Sequence, residues 1–230
     1  MMYILALAIV LFAVTTHVQA GASQPSPGIL ETLFAFKGGF MPPTQNEKLQ
    51  ALLKERPTLD FWELCGIGDA AGVRAALDRD SSLVNGWHRI GWSALHFAAF
   101  SGDVATTTLL LEKGANIHAR AKTRFLNTPL QAAMLTGQEG TVRLLLERGA
   151  DPLVRQNAGF APIHEAALLG RRDLVDLLLE KGAEIDARSN DGRTAVSEAL
   201  RGGHTELAAY LRSRGGHDAA ITADLTASPD

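Results

Sequence analysis

The stretch 128–150, TPLQAAMLTGQEGTVRLLLERGA, decides the fold. Pro129 suits a first helical turn, where a missing N–H costs nothing. Leu130 to Met134 is apolar but for Gln131, and Gly137 then breaks the chain. The apolar stripe of Val142, Leu144, Leu145 and Leu146 predicts a second, amphipathic helix, which ends at Gly149, a residue able to take the left-handed C′ conformation. The pattern recurs on both sides. Its ending is LLEKGA at 110–115, LLEKGA at 178–183 and LRSRGG at 211–216. The glycines Gly114, Gly149, Gly182 and Gly215 are separated by 35, 33 and 33 residues, and Gly102, Gly137, Gly170 and Gly203 keep the same separations. Two markers in one register mean a repeat, and repeats of this period stack into a quasi-one-dimensional array.

The first helix of each unit reads SALHFAA (93–99), TPLQAAM (128–134), APIHEAA (161–167) and TAVSEAL (194–200). With the Leu-Leu-x-x-Gly-Ala endings, these segments resemble the ankyrin repeat. The resemblance covers about Asp60 to Gly216. It implies an all-α fold, an ankyrin-repeat solenoid of stacked helix-turn-helix units with projecting hairpin loops. Five units are expected, at 59–85, 86–120, 121–155, 156–188 and 189–216, with the outer two as caps. The opening unit is degenerate, with Asp80 where the turn glycine belongs. The last loses apolar character through Arg201, Arg212, Ser213 and Arg214, as a solvent-facing cap should.

Outside the array, residues 1–20 hold a twelve-residue apolar run, Tyr3 to Val14, followed by small residues at Val18, Ala20 and Ala22. That pattern predicts a signal peptide cut after Ala20, and an exported protein, periplasmic or secreted. The alternative is an uncleaved anchor, which would make the chain a membrane-tethered adaptor; an apolar run of this length is short for a bilayer span. Residues 21–58 read as a linker with short helices, among them EKLQALLKER at 47–56, and 217–230 as a flexible tail.

The net charge of −3, from 22 basic and 25 acidic residues, argues against a general nucleic-acid binder. One cysteine, Cys65, excludes an intrachain disulfide and a cysteine-based zinc site, and its register places it in a packed position. No catalytic triad spacing, phosphate-cradling loop or HExxH helix is present, so no enzyme activity and no cofactor are expected. The competing reading is a metal-dependent or stress-related enzyme outside the cytoplasm, using His88, His96 or His118. The resemblance assigns His96 and His164 a structural role instead, tying neighbouring loops by hydrogen bonds to backbone.

The resemblance further implies a partner protein held on the concave side by hairpin tips and outward positions of the first helices. Those positions carry an apolar row, Phe100, Leu135 and Leu168, with Leu169 beside it. The residue before each motif is Trp92, Asn127, Phe160 or Arg193, and large aromatics anchor interfaces. Arg120, Arg155 and Arg188 recur at the hairpins, with Arg89, Lys122 and Arg124 nearby. The candidate protein-binding residues are therefore Arg89, Trp92, Phe100, Arg120, Arg124, Phe125, Leu135, Arg155, Phe160, Leu168, Leu169, Arg188 and Arg193. A partner with an acidic rim around an apolar ridge is expected, bound by a monomer. The third unit carries two extra residues, in KTRFLN (122–127), with Phe125 at the tip of a longer finger: the best-placed specificity element.

Overall fold

The computed structural model describes Ala51, Lys54 and residues 58–218. The apolar amino-terminal run, most of the linker and residues 219–230 lie outside the described residues. Among those described there are ten α-helices and no strand, only an isolated antiparallel bridge between Trp87 and Ser93. The helices are α1 (Phe61–Ile67), α2 (Ala70–Arg79), α3 (Ala94–Ser101), α4 (Val104–Glu112), α5 (Pro129–Thr136), α6 (Glu139–Glu147), α7 (Pro162–Leu168), α8 (Arg172–Glu180), α9 (Ala195–Arg201) and α10 (Thr205–Ser213). A 3-10 turn, Ser81–Asn85, follows α2. Each of the five segments marked by the sequence period contains one pair.

Local chemistry starts and stops each helix. Thr128 and Thr194 accept from the backbone N–H three residues on, and the third helical residue reaches back to the cap, a reciprocal box that satisfies orphan donors. Asp60 and Glu63 do the same at α1, with bonds of 2.8 and 3.0 Å. Gly102 and Gly137 close α3 and α5 in the left-handed conformation.

The described residues fall into two compact units, which divide between Gly149 and Ala150. In the first, α3 packs between α1 and α5 and against its own partner α4. All eight of its residues are buried, because neighbours cover it on every side. Cys65 lies in this core, fully buried, and burial pushes its thiol well above the usual range. In the second unit α7 packs on α9, and each lies against its own second helix. Helix α8 is amphipathic: it buries Leu174, Val175, Leu177 and Leu178 and exposes Arg172 and Asp173.

His217 and Asp218, counted with the flexible tail on sequence grounds, are tied down. The His217 N–H donates to Asp186 at 2.7 Å, the His217 carbonyl accepts from Thr194 Oγ1 at 2.8 Å, and Asp218 pairs with Arg212 at 2.8 Å. No described helix is long and apolar enough to cross a membrane.

Candidate protein-binding loops

A hairpin precedes each of the last four first helices. Three close alike: His88 N–H donates to the Trp92 carbonyl at 2.8 Å, Gln156 to Phe160 at 3.0 Å, and Ser189 to Arg193 at 2.9 Å. Each turns through a left-handed glycine just before the closing residue, Gly91, Gly159 or Gly192, with φ between 80° and 87°. The remaining hairpin closes from Ala121 N–H to the Asn127 carbonyl at 2.8 Å and so encloses two more residues. Its residue before the closure is Leu126, at φ 55°, the one non-glycine residue with positive φ among those described. An L side chain there costs about 1 kcal/mol, and this side chain is left 38% exposed.

The two hairpins of the first unit are joined, Lys122 N–H donating to the Gly91 carbonyl at 2.8 Å. The Lys122 ammonium lies over the Trp87 ring, 4.6 Å from its centroid, and the Arg124 guanidinium lies over Phe125 at 4.7 Å. Arg89, Arg120, Lys122 and Arg124 are exposed and Phe125 is half-buried.

The remaining sequence-derived candidates divide. Trp92 and Phe100 were expected at the surface, but they are 1% and 4% exposed. Their rings pack edge-to-face at 5.5 Å, and Trp92 also meets Phe97 at 5.4 Å, so both belong to the core of the first unit. Leu135 is half-buried in that unit, as are Leu168 and Leu169 in the second.

Two of the recurring arginines, Arg155 and Arg188, have an internal duty as well. Arg155 Nη1 donates to the Gly159 carbonyl and Arg188 Nη1 to the Gly192 carbonyl, each at 3.3 Å, bracing their own turns. Arg155 also donates to the Arg188 carbonyl and lies 3.8 Å from Glu184. Arg193 is half-buried over Phe160, 4.6 Å from the ring centroid, and pairs with Asp191 and Glu198. The Arg193 hydrogen bond holds the Asp191 carboxyl well below its usual range.

The buried histidines are fully engaged. His96 Nδ1 faces the Ser93 N–H at 3.3 Å and the Ser93 hydroxyl at 2.7 Å, and Nε2 faces the Asn127 carbonyl at 3.0 Å. His164 repeats this with the Ala161 N–H at 3.1 Å and the Arg193 carbonyl at 3.1 Å. Only the neutral ring with its proton on Nε2 satisfies an N–H on one side and a carbonyl on the other. Burial pushes the His96 pKa down to about 4, and burial likewise lowers that of His164. With both nitrogens committed, neither ring has an electron pair to offer a metal. Among the described residues no three His, Cys, Asp or Glu side chains converge as a metal-ligand set.

Two features escaped sequence reasoning. Leu126 stands in a column otherwise held by glycine, a signal that was present but unused. Glu165, on α7, buries its carboxyl: Oε1 accepts from Gln156 at 3.2 Å, Oε2 has no partner, and burial pushes the pKa up to about 8.

A family model described as Ankyrin repeats (3 copies) matches residues 66–156, 121–189 and 153–223. The chain is also similar to a Transient receptor potential cation channel subfamily A member 1 homolog of Caenorhabditis elegans, 42% identical over 71 residues, which is 31% of this chain and 6% of that protein. The match thus spans a small part of the curated relative.

Proposed function

Because the chain belongs to the ankyrin-repeat family, whose repeats are protein–protein interaction modules, we propose that it is an exported, non-enzymatic scaffold that holds a partner protein by its hairpin loops. The observation that carries this reading is Leu126. A side chain is kept in a backbone conformation that the other three hairpins give to glycine, and it points apolar surface at solvent. Strain of this kind persists where something other than stability selects it. Export rests on the apolar run Tyr3–Val14 and the small residues after it.

The test is capture by the immobilised chain from its native compartment. A partner retained by the wild type and by Val104→Ser, a change at an exposed α4 position, and lost with Phe125→Ser/Leu126→Gly, supports the reading. Equal retention by all three overturns it. Mass spectrometry of the native amino terminus checks export: a chain starting at Gly21 supports it, and one retaining Tyr3 overturns cleavage.

A further inference from the structure

We infer that the paired hairpins of the first unit form a receptor for an acidic peptide segment that carries an aromatic or aliphatic side chain, and that the hairpins of the second unit do not share this role. The inference rests on the scaffold reading and narrows it to one place and one partner chemistry.

Charge is the first ground. Residues 86–93 and 114–128, which make up the two joined hairpins, contain Arg89, Arg120, Lys122 and Arg124 and no Asp or Glu. The corresponding stretches of the second unit, 150–161 and 183–194, contain Arg155, Arg188 and Arg193 against Asp151, Glu184, Asp186 and Asp191. There Arg155 lies 3.8 Å from Glu184 and Arg193 pairs with Asp191, so charge is balanced within the stretches. The whole chain is acidic, so the cationic loops of the first unit are a local feature held against the overall charge. Potentials of this kind steer oppositely charged partners within a Debye length, about 8 Å at physiological salt.

The second ground is how the cations are mounted. Lys122 and Arg124 lie over the rings of Trp87 and Phe125. A guanidinium laid on a ring keeps the N–H donors along its edge available for a carboxylate. The same rings and Leu126 offer apolar surface beside the charge, so the loop pair suits a ligand carrying both. Backbone pairing between Lys122 and Gly91 fixes the two loops together, so little ordering entropy is left to lose on binding.

Single-stranded nucleic acid and an anionic bilayer are the rival polyanions. A patch of four cations on two short loops fits a short extended segment better than a long phosphate track, which needs many neutralised phosphates to bind at physiological salt.

The experiment uses the purified full chain and fluorescein-labelled dodecapeptides: one rich in Asp and Glu with a central Phe-Leu pair, one with Lys in place of each acid. A twelve-residue oligo-dT and vesicles one-third phosphatidylglycerol serve as the rival probes. The variants are Lys122→Glu/Arg124→Glu and, as a charge-matched control on and just after α6, Arg143→Glu/Arg148→Glu, each checked for helicity. The expected result is binding of the acidic peptide alone, weakened by salt, reduced about tenfold by the loop reversal and less than threefold by the control. The inference falls if the acidic peptide does not bind, if both reversals act equally, or if oligo-dT or vesicles bind more tightly. Should the acidic peptide fail while Phe125→Ser/Leu126→Gly still loses its captured partner, the scaffold reading stands and this narrower one is overturned.

Discussion

Glu165 makes the stability of the second unit depend on pH in a direction opposite to that of most carboxylates. Its folded pKa is raised to about 8 from an ordinary value of 4.5, so the folded state holds a proton that the unfolded state releases. Stability therefore falls as pH rises above 4.5 and levels off only beyond 8. The histidines work the other way. His96 drops to about 4 and His164 is also lowered, so their contribution is gained as pH rises toward 6.5 and is nearly complete there. Between pH 6.5 and 8 the Glu165 effect is left almost alone. At ~1.4 kcal/mol per pH unit it amounts to about 1.5–2 kcal/mol, allowing for partial ionisation near the folded pKa. Glu165→Gln keeps the shape, keeps an acceptor for Gln156 and cannot ionise. Urea unfolding followed by far-UV circular dichroism at pH 6.5 and 8 should show the variant's advantage growing by that amount. Taking the difference between the two proteins cancels the histidines. An advantage constant within about 0.5 kcal/mol across the interval would refute the assignment of a buried, protonated carboxyl.

Leu126→Gly should raise stability by up to about 1 kcal/mol by relieving left-handed strain, yet weaken partner binding; the two changes are read by urea unfolding and by capture. His96→Ala leaves the Ser93 N–H and the Asn127 carbonyl without their partner and opens a cavity, for a loss of about 2–4 kcal/mol in the same unfolding assay. His96→Gln should restore part of it, since Gln131 fills the equivalent position in its own capping box. Gly91→Ala would place a Cβ 2.7 Å from the Lys122 carbonyl and part the two hairpins, whereas Gly114→Ala meets nothing within 4 Å and bears only the left-handed strain of about 1 kcal/mol. The first should cost more stability than the second and abolish acidic-peptide binding; equal costs would contradict the joined-hairpin geometry.

The repeat was readable because its punctuation is local. Glycines at a fixed period, prolines at the first helical turn and leucine stripes each act through the backbone of their own segment, and the ten helices fall between them. The histidines were readable for the same reason, since the ring reaches only to the next hairpin. What the sequence hid depends on what packs from outside the repeat. Trp92 and Phe100 occupy positions that resemblance would turn outward, but α3 lies between two neighbouring first helices and their rings interlock. The turn-bracing role of Arg155 and Arg188 was hidden because a guanidinium bonding a carbonyl four residues on leaves no mark on composition. Glu165 occupies a slot where burial is decided by surrounding elements rather than by its own segment. Leu126 is the instructive miss: sliding the hairpin columns by one residue would have exposed it.

The hydrogen bonds by which His96 and His164 tie one repeat to the next both reach forward along the chain, to carbonyls 31 and 29 residues ahead. A repeat is therefore finished by material that follows it. During synthesis, each such ring waits for the next loop to emerge before it can settle, so maturation trails elongation by about one repeat length. Truncation from the carboxyl side would strand a ring at each such step, whereas shortening from the other end would leave every remaining ring served.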